Sequence, residues 1–243
     1  MRRRTGCARA HAASHGRPDR VNRTALNSWR RAIVGGAAAA LLAASCPVSR
    51  AATVDVVALP APRQTGGMPL MDALHARQSI REFSDRSLPP QMLSDLLWAA
   101  FGINRPAIDH RTAPSTMNMQ EIDVYVARTD GFFLYAPKSH ELRRMAGDDV
   151  RPQTGGKPEL QAAAVVLIFV ADLSRMTKAK PADRDFYAAI DTGFISQNVY
   201  LFAASAGLAT VVHELDRAPL VRAMKLRPDQ RITIVQSVGY PKR

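Results

Sequence analysis

Two short stretches carry residue types and spacings that could hold a ligand. In LHARQSIREF, residues 74–83, Arg77, Ser79 and Arg81 alternate behind an apolar run. Two guanidiniums and a hydroxyl so spaced can grip a phosphate monoester through charge-assisted, bidentate hydrogen bonds. The competing reading is the solvated basic face of a surface helix. In RTAPSTMNMQ, residues 111–120, Pro114 breaks regular structure while Ser115, Asn118 and Gln120 present hydroxyl and amide groups. A flat heteroaromatic ligand, whose ring edge carries donors and acceptors, needs such groups in its pocket. A polar loop with an Asx or Ser turn has the same composition.

Other chemistries find little support. GGMPL and TGGKPEL lack both the GxGxxG of a dinucleotide fold and the Lys-Ser/Thr of a P-loop. His110, His140 and the HEL at 213–215 show no paired ligand spacing, so no metal is expected. No GxSxG is present. Both cysteines, Cys7 and Cys46, lie in the first 51 residues, so a mature domain starting after them has no thiol nucleophile, disulfide or Cys-ligated metal. The formal charge of +12 resembles that of a nucleic-acid binder, but residues 1–51 hold ten arginines and one acid, which leaves only +3 for the remainder. That is an ordinary surface, and no nucleic-acid partner is expected.

Several elements must position these stretches. Residues 1–51 read as an export signal: Arg30 and Arg31 precede an uncharged run from Ala32 to Ser45, followed by the small-residue pattern Ser49-Arg50-Ala51. The paired arginines after Ser28 resemble a twin-arginine signal, the route of proteins that fold before export, so a periplasmic location is expected. Alternatives are a lipid anchor at Cys46, or a cytoplasmic protein if the leader is no signal. The apolar run is shorter than the roughly 20 residues of a spanning helix, so no stable membrane span is expected after processing.

Residues 52–69, rich in Pro and Gly, should form an extended arm rather than a packed element. A short helix follows with Leu70, Met71, Leu74 and the stem of Arg77 on one face, then a second helix with Met92, Leu93, Leu96, Leu97 and Ala100 inward and Gly102 as its stop. EIDVYVART alternates as a strand, with GFFLYAPKSHEL its hairpin partner across Asp130-Gly131, and AAAVVLIFVAD reads as a doubly covered central strand. The longest helical pattern, Asp185 to Ala206, closes at Gly207. ATVVHEL should be a strand or loop, RAPLVRAMKL a short helix and RITIVQSVGY the last strand. Helices and strands interleave without strict βαβ regularity, which points to an α+β sandwich.

Taken in order, RQSIREF, LSDLLWAAFGINRP, RTAPSTMNMQEIDVYV, DTGFISQNVYLFAASAGLATVV and VGYPKR resemble the nitroreductase family of FMN flavoproteins, closest to its SagB-type, azoline-forming peptide dehydrogenase branch. The resemblance covers Leu70 to Arg243. It implies a three-layer α/β/α sandwich with a mostly antiparallel central sheet, in an intertwined homodimer with FMN at the interface and the long helix at its centre. It implies that Arg77 and Ser79 hold the phosphate or ribityl end and that Arg81 lies against the pyrimidine edge of the isoalloxazine. Asn118 would bond the ring edge, and Pro114 and Ser115 would shape the second subunit's contribution. The segment Val212, His213 and Glu214 would bring backbone amides toward flavin N5, and Lys242 and Arg243 would be the late basic pair. The implied reaction is ping-pong hydride transfer at N5, with no obligatory protein acid or base. A silent flavin-binding module that sequesters or delivers FMN is the alternative. Because a periplasmic enzyme would lack NAD(P)H, the expected redox counterpart is a quinone, a redox partner or oxygen.

Overall fold

The computed structural model describes residues 55–213 and 215–242; the leader, Glu214 and Arg243 lie outside the described residues. In chain order the elements are β1 (Val56–Ala58), α1 (Leu70–Ala76), α2 (Pro90–Phe101), β2 (Ile103–Arg105), β3 (His110–Arg111), β4 (Ile122–Arg128), β5 (Gly131–Ala136), β6 (Glu141–Ala146), α3 (Pro158–Gln161), β7 (Val165–Asp172), α4 (Arg184–Ala206), β8 (Ala209–His213), α5 (Arg217–Met224) and β9 (Gln230–Gly239). Seven strands form one sheet in the order β1-β6-β5-β4-β7-β9-β8, and every pairing in it is antiparallel. β2 and β3 form a separate ribbon.

The sheet's centre explains the layering. All eight residues of β7 are buried, and alternation divides its seven apolar ones between two clusters. Val165, Leu167, Phe169 and Ala171 pack with Leu93, Leu96, Leu97 and Phe101 of α2 and with Ile195 and Val199 of α4. Val166, Ile168 and Val170 face the other way, onto Leu220 and Met224 of α5. A strand rises with period two, so an unbroken apolar run is stable only with cover on both faces. The chain thus forms the expected α+β three-layer sandwich. Among the described residues no helix is long and apolar enough to cross a membrane.

Helix ends follow the sequence signals. Gly102 caps α2, its N–H bonding Trp98 O at 2.8 Å. Gly207 caps α4 in the left-handed region at φ +67°.

Four expectations change. The apolar residues of α1 do not face the core: Leu70 is 63% and Met71 73% exposed, and Leu74 is exposed too, while Ala73 alone is buried. A seven-residue helix seats only one small side chain here, so its larger apolar ones point outward. The described part of the arm, residues 55–69, is extended, yet it is also packed. Val56–Ala58 pair with β6 at the sheet edge, and beyond them Ser94 Oγ donates to Pro60 O at 2.6 Å while Arg63 clasps Asp95 through its amide and its guanidinium, both at 2.8 Å. The partner strand after Asp130 stops at Ala136, and a turn leads into β6, a strand the sequence pattern did not announce. The ribbon β2–β3 was likewise not expected.

Candidate functional site

Residues 77–84 leave α1 in extended form and are held from both sides. Arg77, at φ −58° and ψ 121°, ends the helix. Ile80 N–H bonds Thr210 O of β8 at 3.1 Å, Ser84 N–H bonds Tyr240 O at 2.9 Å, and Lys242 N–H bonds Glu82 O at 3.1 Å. Ile80 and Phe83 turn inward onto Leu160, Ala163, Ala209 and Val211. In an extended segment neighbouring side chains point to opposite sides, so burying Ile80 turns Ser79 and Arg81 outward.

Arg81 there joins Lys157, Val212, His213 and Lys242 around an open cleft of about 930 Å³. Arg77 and Ser79 are tied to it through Tyr200 of α4. Tyr200 Oη accepts the Val212 N–H at 3.0 Å and lies 3.1 Å from Ser79 Oγ, and the Arg77 guanidinium stands 5.5 Å from the centre of the Tyr200 ring. Among the described residues Arg77, Arg81, Lys157 and Lys242 make no ion pair, whereas Arg63, Arg144, Arg151, Arg175 and Arg227 all do. Unmatched cations gathered around a cleft with a hydroxyl suit an anionic ligand. Because Tyr200 occupies the Val212 N–H, that amide is not available to a ligand, and the expected approach of backbone amides excludes this one.

His213 borders the same cleft, and its ring orientation can be assigned. Ser237 Oγ lies 3.0 Å from His213 Nε2 and donates its one proton to Leu160 O at 2.9 Å. The hydroxyl must therefore accept from the imidazole, which places a proton on Nε2.

The second sequence stretch lies elsewhere on the chain. Thr116 N and Oγ1 donate to Asp191 of α4 at 2.7 and 3.0 Å, Gln120 N–H donates to Ser115 Oγ at 2.8 Å, and Gln120 Nε2 donates to Asn118 Oδ1 at 2.9 Å. Met117, Asn118 and Gln120 all hold left-handed φ of about +50°, a strained state that these side-chain bonds must hold in place. Pro114 and Asn118 are exposed. Behind the loop Glu121 is fully buried, and neither carboxyl oxygen makes a hydrogen bond of good geometry. Burial first, and then the neighbouring Asp191, push its pKa up to about 7.

Asp191 and Tyr200 are nine residues apart on one helix, or about 13 Å at 1.5 Å per residue. One chain therefore brings together Arg81, His213 and Lys242, with Arg77 and Ser79 attached through Tyr200, and leaves Pro114, Ser115 and Asn118 apart. Glu214 and Arg243 lie outside the described residues. Tyr200, Lys157 and Asp191 were not singled out from sequence. Tyr200 sits in the apolar helical run NVYLF, where only its phenol hints at a polar task.

Comparisons with known proteins bear on the family and the fold. A model of the nitroreductase family matches residues 74–240. A nitroreductase-family relative from Methanocaldococcus jannaschii is 32% identical over 153 residues, covering 58% of this chain and 76% of its own length. The crystal structure of a nitroreductase-family protein from Ralstonia eutropha JMP134 superposes with a TM-score of 0.74 at 41% identity, over 77% of this chain and 90% of that one. Another such structure, from Desulfovibrio desulfuricans and in complex with FMN, shares the fold at a TM-score of 0.54 and 20% identity, over 73% of this chain and 89% of that one. With the match spanning most of the sheet, α4 and the cleft, the chain belongs to the nitroreductase family.

Proposed function

We propose that the protein is an FMN-dependent oxidoreductase. The observation that carries the reading is the cleft lined by Arg81, Lys157 and Lys242, cations without an ion pair among the described residues, with Arg77 and the Ser79 hydroxyl linked to its Val212 wall through Tyr200. The donor set fits FMN: a phosphate dianion matches the guanidiniums and hydroxyl, and about 930 Å³ is ample for a cofactor of this size. Bound FMN would supply two-electron chemistry, exchanging hydride at N5 in a ping-pong cycle with a substrate stacked on its exposed ring.

The protein's part is to bind and to tune. Arg77 and Ser79 hold the phosphate or ribityl end. Arg81 would lie toward the pyrimidine edge, where a fixed cation would stabilise negative charge and raise the reduction potential. Lys242 adds a further positive charge at the cleft.

A homodimer completes the site in this reading. Phe186, Ile190 and Phe194 form an exposed apolar stripe on α4 at intervals of four residues. An antiparallel crossing of two α4 helices near Ile195 would bring Asp191 of each copy level with Tyr200 of the other. The Asn118 loop of one copy would then reach the ring edge over the cleft of its mate. The order of motifs supports the SagB-type branch, and the leader supports export to the periplasm with a quinone, redox partner or oxygen as counterpart.

The test is a visible spectrum of the purified protein, reconstituted with FMN, before and after dithionite. A yellow protein that bleaches supports the reading, and failure to bind FMN overturns it. Efficient NADPH oxidation by a cytoplasmic protein would overturn the export and donor proposals.

A further inference from the structure

Gln120 is a candidate ligand contact by sequence, yet its carboxamide is wholly engaged within the chain. Its Oε1 accepts from Arg111 Nε at 2.7 Å, and its Nε2 donates to Asp109 O and to Asn118 Oδ1, both at 2.9 Å. Two of these partners act in one sense only, since a guanidinium nitrogen donates and a backbone carbonyl accepts, so the orientation of the Gln120 amide is fixed from both ends. Arg111 is itself held, with its guanidinium 5.0 Å from the centre of the Phe101 ring and Nη1 donating to Phe101 O at 3.3 Å. Gln120 also keeps φ at +49°, a backbone state uncommon for a long side chain and retained where surrounding contacts over-determine it. The second Nε2 proton requires an acceptor. Oδ1 is therefore the Asn118 atom turned inward, and Nδ2, with two protons, is the one left to reach out from this exposed residue. The loop thus offers a ligand a donor. Such a group pairs with carbonyl oxygens and unprotonated ring nitrogens but not with a ring N–H, and holds those acceptors more strongly once they carry negative charge.

We propose that Gln120 is a positioning residue which, by holding the Asn118 carboxamide with Nδ2 outward, makes this loop a hydrogen-bond donor that favours the reduced flavin in the mate's cleft. The proposal rests on the FMN and homodimer reading and adds to it a determinant tied to the β2–β3 ribbon through Arg111 and Asp109. Gln120 touches no ligand itself. It acts through Asn118.

The experiment has two readouts. The first is hydrogen exchange of the side-chain carboxamides in selectively labelled wild-type protein without flavin, followed by NMR. The Gln120 Nε2 protons should exchange about tenfold or more slowly than the Asn118 Nδ2 protons, and equal rates would overturn the proposal whether or not any variant folds. The second is the midpoint potential of bound FMN, by dye-linked titration, in the protein and its Gln120→Glu, Asn118→Ala and double variants. A glutamate still accepts from Arg111 but has no proton to donate at neutral pH, so Asn118 must turn Nδ2 inward and Oδ1 outward. The expected result for Gln120→Glu is an about tenfold weaker preference for reduced over oxidised flavin, or a potential about 30 mV lower for a two-electron couple. Adding Gln120→Glu to Asn118→Ala should then change nothing further. An equal shift in the Asn118→Ala background, where only the charge of the new carboxylate can act, would overturn the proposal. FMN bound with an unshifted potential in Gln120→Glu would overturn this proposal alone, whereas wild-type protein that binds no FMN would overturn the FMN reading and this proposal with it.

Discussion

Replacing Glu121 by Gln should flatten the protein's pH–stability profile between pH 5 and pH 8. Glu121 is buried behind the Asn118 loop with no well-formed hydrogen bond to either oxygen. Asp191 of α4 adds negative charge to this pocket, and Arg175, whose charge opposes the shift, is engaged with Asp123 at 2.8 Å and with the Glu121 backbone carbonyl at 2.6 Å. The carboxyl is therefore held above its ordinary value of 4.5, at about 7. Between those values the folded state binds more protons than the unfolded state, so stability falls as pH rises. Its contribution is complete below the unfolded value, drains away as pH passes through the folded one, and changes no further above it. Between pH 5 and pH 8 this raised carboxyl, with Asp191 beside it, accounts for a loss on the order of 2 to 3 kcal/mol. Glutamine keeps the shape but does not titrate. Urea unfolding of both proteins at the two pH values isolates the effect of Glu121 and its coupling to Asp191, since distant groups cancel in the double difference. The expected double difference is about 2 to 3 kcal/mol, with the glutamine protein the less pH-sensitive. Identical pH slopes would refute the reasoning and show that Glu121 reaches water in the folded state.

Three further outcomes follow from the geometry. Arg77→Ala should weaken FMN retention by about 10- to 150-fold, the loss of one charge-assisted contact of roughly 1.5 to 3 kcal/mol, measured by equilibrium dialysis; unchanged affinity would place the phosphate elsewhere. Phe194→Glu, at a position 44% exposed in the single chain, should leave the circular dichroism intact and shift sedimentation toward monomer. Gly207→Ala meets no atom within 4 Å but must hold φ +67°, so thermal unfolding should report a loss of about 1 kcal/mol that is purely conformational.

What was legible in the sequence was what periodicity encodes. β7 announced its central place because its seven-residue apolar run can be satisfied only between two layers. α2 and α4 announced their stops because glycine follows each last helical turn. α1 misled because its period was real but its partner was missing: Leu70, Met71 and Leu74 do share an apolar side, yet the core of one chain does not reach them. β6 was hidden because ELRRMA is an outer strand bearing charges, without the alternation that marks a half-buried one. At the site, extended geometry after α1 was enough to turn Ser79 and Arg81 to one side. The role of Tyr200 was not legible, since it depends on three contacts that span from residue 77 to residue 212. Nor could spacing along the chain reveal that the Asn118 loop docks at the opposite stretch of α4 from the cleft.

The arm that crosses α2 has a consequence for solubility. Val57 and Leu59 pack against the main core, and the rest of the arm is fastened by polar contacts, Ser94 to Pro60, Gln91 to Ala61 and Arg63 to Asp95; those that reach the surface yield to salt and to fluctuation more readily than buried apolar ones. When it lifts, β1 leaves with it and the backbone of β6 becomes an open edge able to recruit a strand from another molecule. The charges that obscured β6 in the sequence, Glu141, Arg143 and Arg144, then act as gatekeepers, keeping a transient opening from becoming a nucleus for aggregation.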